Sequence, residues 1–152
     1  MNKNLPTIAL AAKTRPVSAE IETYAFENRQ MGIEETLFHR ITIELEAFDS
    51  GLGYGEQQEA TSIVLEWFDL GLENPRNLDG LDLCHERFPE AEGSIYLGFA
   101  HNPCRIEKLL VTRKSDCDFH LEGRVSVDFE FEGVARNEEF AFVTNAVMQT
   151  VG

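Results

Sequence analysis

From Phe119 to Phe131 the chain alternates without interruption. The odd positions read Phe119, Leu121, Gly123, Val125, Val127, Phe129, Phe131, and the even ones His120, Glu122, Arg124, Ser126, Asp128, Glu130, Glu132. A period of two over this length specifies a long β-strand with one face on a core and the other in water. Gly123 stands in the apolar row without a side chain and is expected to mark a bulge that bends the strand.

The same pattern recurs. Ile41, Ile43, Leu45 and Ala47 alternate with Thr42, Glu44 and Glu46, and Val17, Ala19, Ile21 and Ala25 alternate with Ser18, Glu20, Glu22 and Tyr24. The stretch Arg29 to Glu35, with Gly32 inside it, joins these two as a hairpin. Ser94 to Ala100 and Ile106 to Thr112 read as two further strands separated by a turn at His101-Asn102-Pro103, and Glu139 to Met148 as the last. Alternation of this kind favours antiparallel pairing over a parallel sheet buried on both faces. Glu56 to Leu70 opens with acids and ends at Gly71, which predicts a helix with Ala60, Ile63, Val64 and Trp67 on one face. The β-formers Ile63, Val64, Trp67 and Phe68 fit a strand there as well. Trp67 and Phe68 are expected in the core. Leu72 to Gly93 is loop-rich. The expected fold is a single α+β domain over residues 1–152, predominantly antiparallel β. It is one twisted sheet or sandwich of about six to seven strands with one or two short helices.

Charge narrows the function. The chain holds 27 acids against 13 bases, a net −14, and thirteen carboxylates against two bases fall between Glu44 and Glu92. That balance argues against nucleic acid, whose phosphates need a basic footprint, and against anionic membranes. A basic protein partner fits it. The contacts expected from this segment are Asp49, Glu56, Glu59, Asp69, Glu73, Asp79 and Asp82, with Tyr54 as an aromatic anchor. The basic cluster Arg105, Lys108, Arg113 and Lys114 is expected to pair with acids of the same segment. Three cysteines, Cys84, Cys104 and Cys117, form no disulfide framework, which suits a reducing compartment. Pro6 interrupts the short apolar patch before Ala12, so the start does not read as a signal peptide. A cytoplasmic location is expected.

Motifs for chemistry fail one by one. His101-x-x-Cys104 and Cys117-x-x-His120 have zinc-ligand types. Twelve extended residues between them, at about 3.3 Å each, would hold the pairs some 40 Å apart. Adjacent Cys84 and His85 point to opposite faces of an extended backbone and cannot act as nucleophile and base. Carboxylate pairs such as Glu44/Glu46 or Asp128/Glu130 follow from any exposed alternating strand. The glycines of Gly51-Leu52-Gly53-Tyr54-Gly55 lack the Lys-Ser/Thr of a phosphate loop. No catalytic residue, metal or cofactor is expected.

The stretch Ser94-Ile95-Tyr96-Leu97-Gly98-Phe99-Ala100-His101-Asn102-Pro103, followed by Val127-Asp128-Phe129-Glu130-Phe131-Glu132-Gly133, resembles small acidic bacterial immunity proteins of polymorphic-toxin systems. The resemblance implies a cytosolic domain that neutralises a basic toxin by direct binding, without chemistry of its own. The rival expectations are an enzyme, hydrolytic or metal-dependent, using an exposed carboxylate cluster, and an oligomeric structural or accessory protein.

Overall fold

The computed structural model describes residues 4–53 and 57–149. Seven strands follow one another in order: β1 (Pro16–Asn28), β2 (Ile33–Leu45), β3 (Ser62–Phe68), β4 (Glu92–Leu97), β5 (Ala100–Arg113), β6 (Asp118–Val127) and β7 (Glu138–Met148). Each pairs antiparallel with the next. They close into one barrel. Because the strand number is odd, the strands that meet at the closure run the same way. β1 and β7 are parallel, through Ala19–Ala146, Glu20–Val147 and Ile21–Met148. Closure removes the sheet edges that an open sheet leaves to be paired by other chains. The strand content and antiparallel pairing match the expectation, but the open sheet or sandwich does not. Among the described residues helix is confined to the four-residue α1 (Leu10–Lys13) and a 3₁₀ turn at Arg29–Met31.

The barrel interior is filled by the apolar row of each strand. Ile21, Ile41, Ile43, Ile63, Leu65, Ile95, Ile106, Leu109, Val111, Phe119, Leu121 and Val125 are wholly buried. The N-terminal segment completes the seam where β7 runs on past the start of β1. There both carboxylate oxygens of Glu138 accept hydrogen bonds, from Ala9 N–H at 3.1 Å and Leu10 N–H at 2.7 Å. Ile8 and Leu10 enter the core.

Five local expectations are corrected. The segment 56–70 holds strand β3 in place of a helix. Ile63, Leu65 and Phe68 point inward, and the step from two residues to three comes from a bulge at Glu66-Trp67, where Trp67 has φ 64°. A bulged strand thus imitates helical spacing over one turn. Trp67 is held outside the barrel, edge-on to Tyr24, Phe26 and Phe38 with ring centroids 5.6, 5.2 and 5.2 Å away. The β4–β5 turn is Gly98-Phe99, because Asn102 lies within β5, fully buried. Its Nδ2 donates to the carbonyls of Ile95, Leu97 and Ala100 at 3.0–3.1 Å, which clamps the hairpin from inside. The long alternating strand ends at Val127. Asp128 Oδ1 accepts from Phe131 N–H and turns the chain.

Gly123 is not a bulge. Its pairing with Leu109 on one side and Phe142 on the other is in regular register. The Phe142 ring lies where a side chain would be, with its Cζ 2.5 Å from the position of an added Cβ. We predict that Gly123→Ala lowers stability by about 1–3 kcal/mol through overpacking. Adding Phe142→Leu should recover part of that loss. Chemical denaturation checks both, and a Gly123→Ala protein as stable as the parent would refute the close approach.

Candidate partner-binding surface

The register gives the barrel two ends. One, here the upper end, carries the β2–β3 connection, the β4–β5 turn, the β6–β7 connection and the N-terminal segment. The lower end carries the β1–β2 and β5–β6 turns and the start of the long β3–β4 connection. The acidic residues singled out from the sequence divide between them. Asp49 and Glu59 lie at the upper end, where Phe48 and Glu59 form an isolated bridge. Asp69 follows the far end of the seven-residue β3, about 20 Å away at the strand's rise per residue. Glu73, Asp79 and Asp82 follow it along the β3–β4 connection. Tyr54 and Glu56 lie outside the described residues. The six described carboxylates therefore do not form one face.

Several of them have local work. Asp49 Oδ1 accepts from Gly51 N–H at 2.8 Å. Asp79 Oδ1 accepts from Arg113 N–H at 2.7 Å and Asp82 Oδ1 from Leu109 N–H at 2.9 Å, so both fasten the connection to β5. The ion pairs among the described residues use other acids. Arg15 meets Glu46, Arg29 meets Glu27, and Arg40 meets Glu22 and Glu66. The side chains of Arg105, Lys108 and Arg113 find their partners outside the acidic segment. Arg105 pairs with Glu107 and Lys108 with Glu122, while the Arg113 guanidinium donates to the Ser115 and Asp116 carbonyls. The Lys108 ammonium holds the Glu122 carboxyl below its ordinary pKa, by hydrogen bond and charge.

A groove of about 740 Å³ opens at the upper end between His85 and the Asp128 to Glu139 stretch, with Pro103, Arg105 and Ser126 among its lining. Its polar groups are mostly engaged by the protein. Glu138 holds the N-terminal segment, and Ser126 Oγ donates to Glu107. Both His85 nitrogens bond backbone groups. Burial pushes the Cys104 thiol up to about 12, so it is no nucleophile at neutral pH. His101-x-x-Cys104 and Cys117-x-x-His120 sit toward opposite ends of the β5–β6 hairpin, since Cys104 faces Val127 and Thr112 faces His120.

Two residues stand out that the sequence reading had placed inside strands. Phe99 occupies the second position of the two-residue β4–β5 turn with φ 60° and is 68% exposed. Phe131, at the same end in the β6–β7 connection, is 72% exposed. The signal for Phe99 was present in the sequence. Gly98-Phe99 separates two alternating runs, the position where a tight hairpin needs φ > 0 at both residues and where Asn or Gly is the usual choice. Asp49, Glu59, Asp128, Glu130 and Glu132 lie in the connections at the same end.

No protein-family model, curated protein sequence or solved structure matches this chain. No helix among the described residues is long and apolar enough to cross a membrane.

The half-buried Asp82 tests the structural role given to the connection's acids. Asp82→Ala leaves the Leu109 N–H unpaired and is predicted to cost about 1–2 kcal/mol. Asp82→Asn, which keeps an acceptor oxygen, should cost less than half as much. Paired urea melts decide, and equal losses would contradict the assignment.

Proposed function

We propose that this chain is a protein-binding domain that captures a basic partner on the upper end of its barrel, with Phe99 and Phe131 as apolar anchors among carboxylates. The observation that carries this reading is Phe99. A bulky side chain in the left-handed region costs on the order of 1–3 kcal/mol, and this one keeps most of its surface in solvent. Exposed aromatics within a polar rim are the usual composition of interface hot spots. The net charge of −14 supplies long-range attraction toward a basic protein and speeds encounter.

The sharpest form of the proposal is an immunity protein, acting in the cytoplasm and blocking a basic toxin by covering it. The resemblance of the Ser94 to Pro103 and Val127 to Gly133 stretches supports that form, as does the lack of an assembled nucleophile and base in the groove. The acidic contacts assigned at this end are Asp49, Glu59, Asp128, Glu130 and Glu132. The lower-end acids Asp69, Glu73 and Asp79 then contribute to the overall field.

Phe99→Asn separates function from folding. It relaxes the turn and is predicted to raise the melting temperature by a few degrees, while weakening capture of the partner at least tenfold. Co-purification at low salt, with mass spectrometry to identify the partner and titration to measure its affinity, supplies the readout. Partner affinity left unchanged by Phe99→Asn and by Phe131→Ser would exclude this surface.

A further inference from the structure

The barrel seam covers β1 only as far as Ile21. The Ile21 carbonyl accepts the Gln149 N–H at 2.8 Å, and pairing with β7 ends at Ile21–Met148. β1 itself runs on to Asn28, paired with β2 in unbroken register from Ser18 to Phe26. On the far side β2 leaves β3 at His39–Phe68. The two strands therefore project past their neighbours as a ribbon. Burial along the inner row records the exit: Ala19 and Ile21 are buried, Ala25 and Glu27 exposed.

The backbone groups of a strand point alternately to its two neighbours. Because the Ile21 carbonyl faces the seam, Thr23 and Ala25 turn their N–H and C=O groups the same way. No strand follows there among the described residues. The opposite edge of the ribbon is flanked by Gly71 and Leu72, which share a groove with Leu37, so the open edge is that of β1. From Thr23 to Glu27 it runs about 17 Å at the usual rise per residue.

Proteins commonly blunt such an edge with lysine, proline or a bulge. Here neither Lys nor Pro occurs from Val17 to Asn28, and the bulge comes only after Phe26. Thr23, Tyr24 and Phe26 are good β-formers. What guards the edge is charge of one sign, with five carboxylates against one base between Glu20 and Glu35. Arg29 meets Glu27 and Arg40 meets Glu22, while Glu20, Glu34 and Glu35 form no ion pair among the described residues. That field repels an acidic strand, including a second copy of this chain, and attracts a basic one.

We propose that the outer half of β1 is a strand-addition site for an extended basic segment of another protein. Main-chain hydrogen bonds to Thr23 and Ala25 hold the segment. Its outward side chains come alongside Glu20, Glu22, Tyr24 and Phe26, where a lysine or arginine meets both carboxylates and aromatic rings. The site is separate from Phe99 and Phe131 and does not depend on them.

An eight-residue peptide of alternating lysine and valine, added to the full chain at low salt, is the probe. By NMR hydrogen exchange the Thr23 and Ala25 amides, open in the free chain, should gain about tenfold protection or more. Tyr24, already bonded to β2, should change little. The same peptide N-methylated at every residue keeps its charge but has no backbone donors, and it should protect neither amide. Ala25→Pro removes an edge N–H without touching the β1–β2 ladder and should weaken binding about tenfold. Phe99→Asn should leave peptide binding unchanged, so failure of the upper-end surface and failure of this edge are read separately. Should Ala25→Pro not fold, the N-methylated peptide carries the comparison. Equal binding of the two peptides, or no protection at Thr23 and Ala25, would overturn the proposal. So would protection of those amides without peptide that rises with protein concentration, which would put a second copy on the edge.

Discussion

Closure of an odd-numbered barrel is the constraint from which the rest of this structure follows. Seven strands joined in sequence order alternate direction, so the first and last must meet in parallel. They do so over only three residue pairs, Ala19–Ala146 to Ile21–Met148. Inward apolar rows from every strand then share one interior, and the outward rows become the wet surface. The short seam also explains the N-terminal segment. The early part of β7 reaches beyond β1, and the Glu138 carboxylate with buried Ile8 and Leu10 covers what the seam leaves open.

Once the barrel is closed, acidic charge separates by role. Asp79, Asp82 and Glu138 satisfy backbone donors of β5 and the N-terminal segment. Glu22, Glu66, Glu107 and Glu122 pair with arginines or a lysine on the outer wall. The upper end instead combines exposed rings with carboxylates held by short turns, which is why the proposed capture surface lies there. The β3–β4 connection, residues 69–91, is tied to β5 by backbone hydrogen bonds and by Asp79 and Asp82, and it sends Leu78 and Leu83 into the core.

Much of the fold was legible because alternation reports which face is buried. Ile41 to Leu45 and Phe119 to Val127 needed no further information. The misreadings have a common cause in local irregularity. At Trp67 a bulge changed the spacing to one a helix would show. Asn102 and Pro103 carried turn chemistry while standing inside β5, because the buried Asn102 amide serves the hairpin from a distance of several residues. Gly123 is set by Phe142, nineteen positions further along, which no local pattern reveals. The candidate surface was legible only in part. Asp49 and Glu59 were named, but the division of the other acids depends on strand register. The anchor at Phe99 depends on noticing an aromatic where a turn asks for glycine or asparagine.

The β1–β7 seam can be examined directly in solution by NMR. Cross-strand amide and α-proton contacts between Ala19, Glu20, Ile21 and Ala146, Val147, Met148, together with slow exchange at the Gln149 amide that bonds the Ile21 carbonyl, are the result closure predicts. Loss of those contacts, with fast-exchanging amides along both β1 and β7, would mean an open sheet. The shared interior and the common upper end on which the capture surface rests would then have no basis.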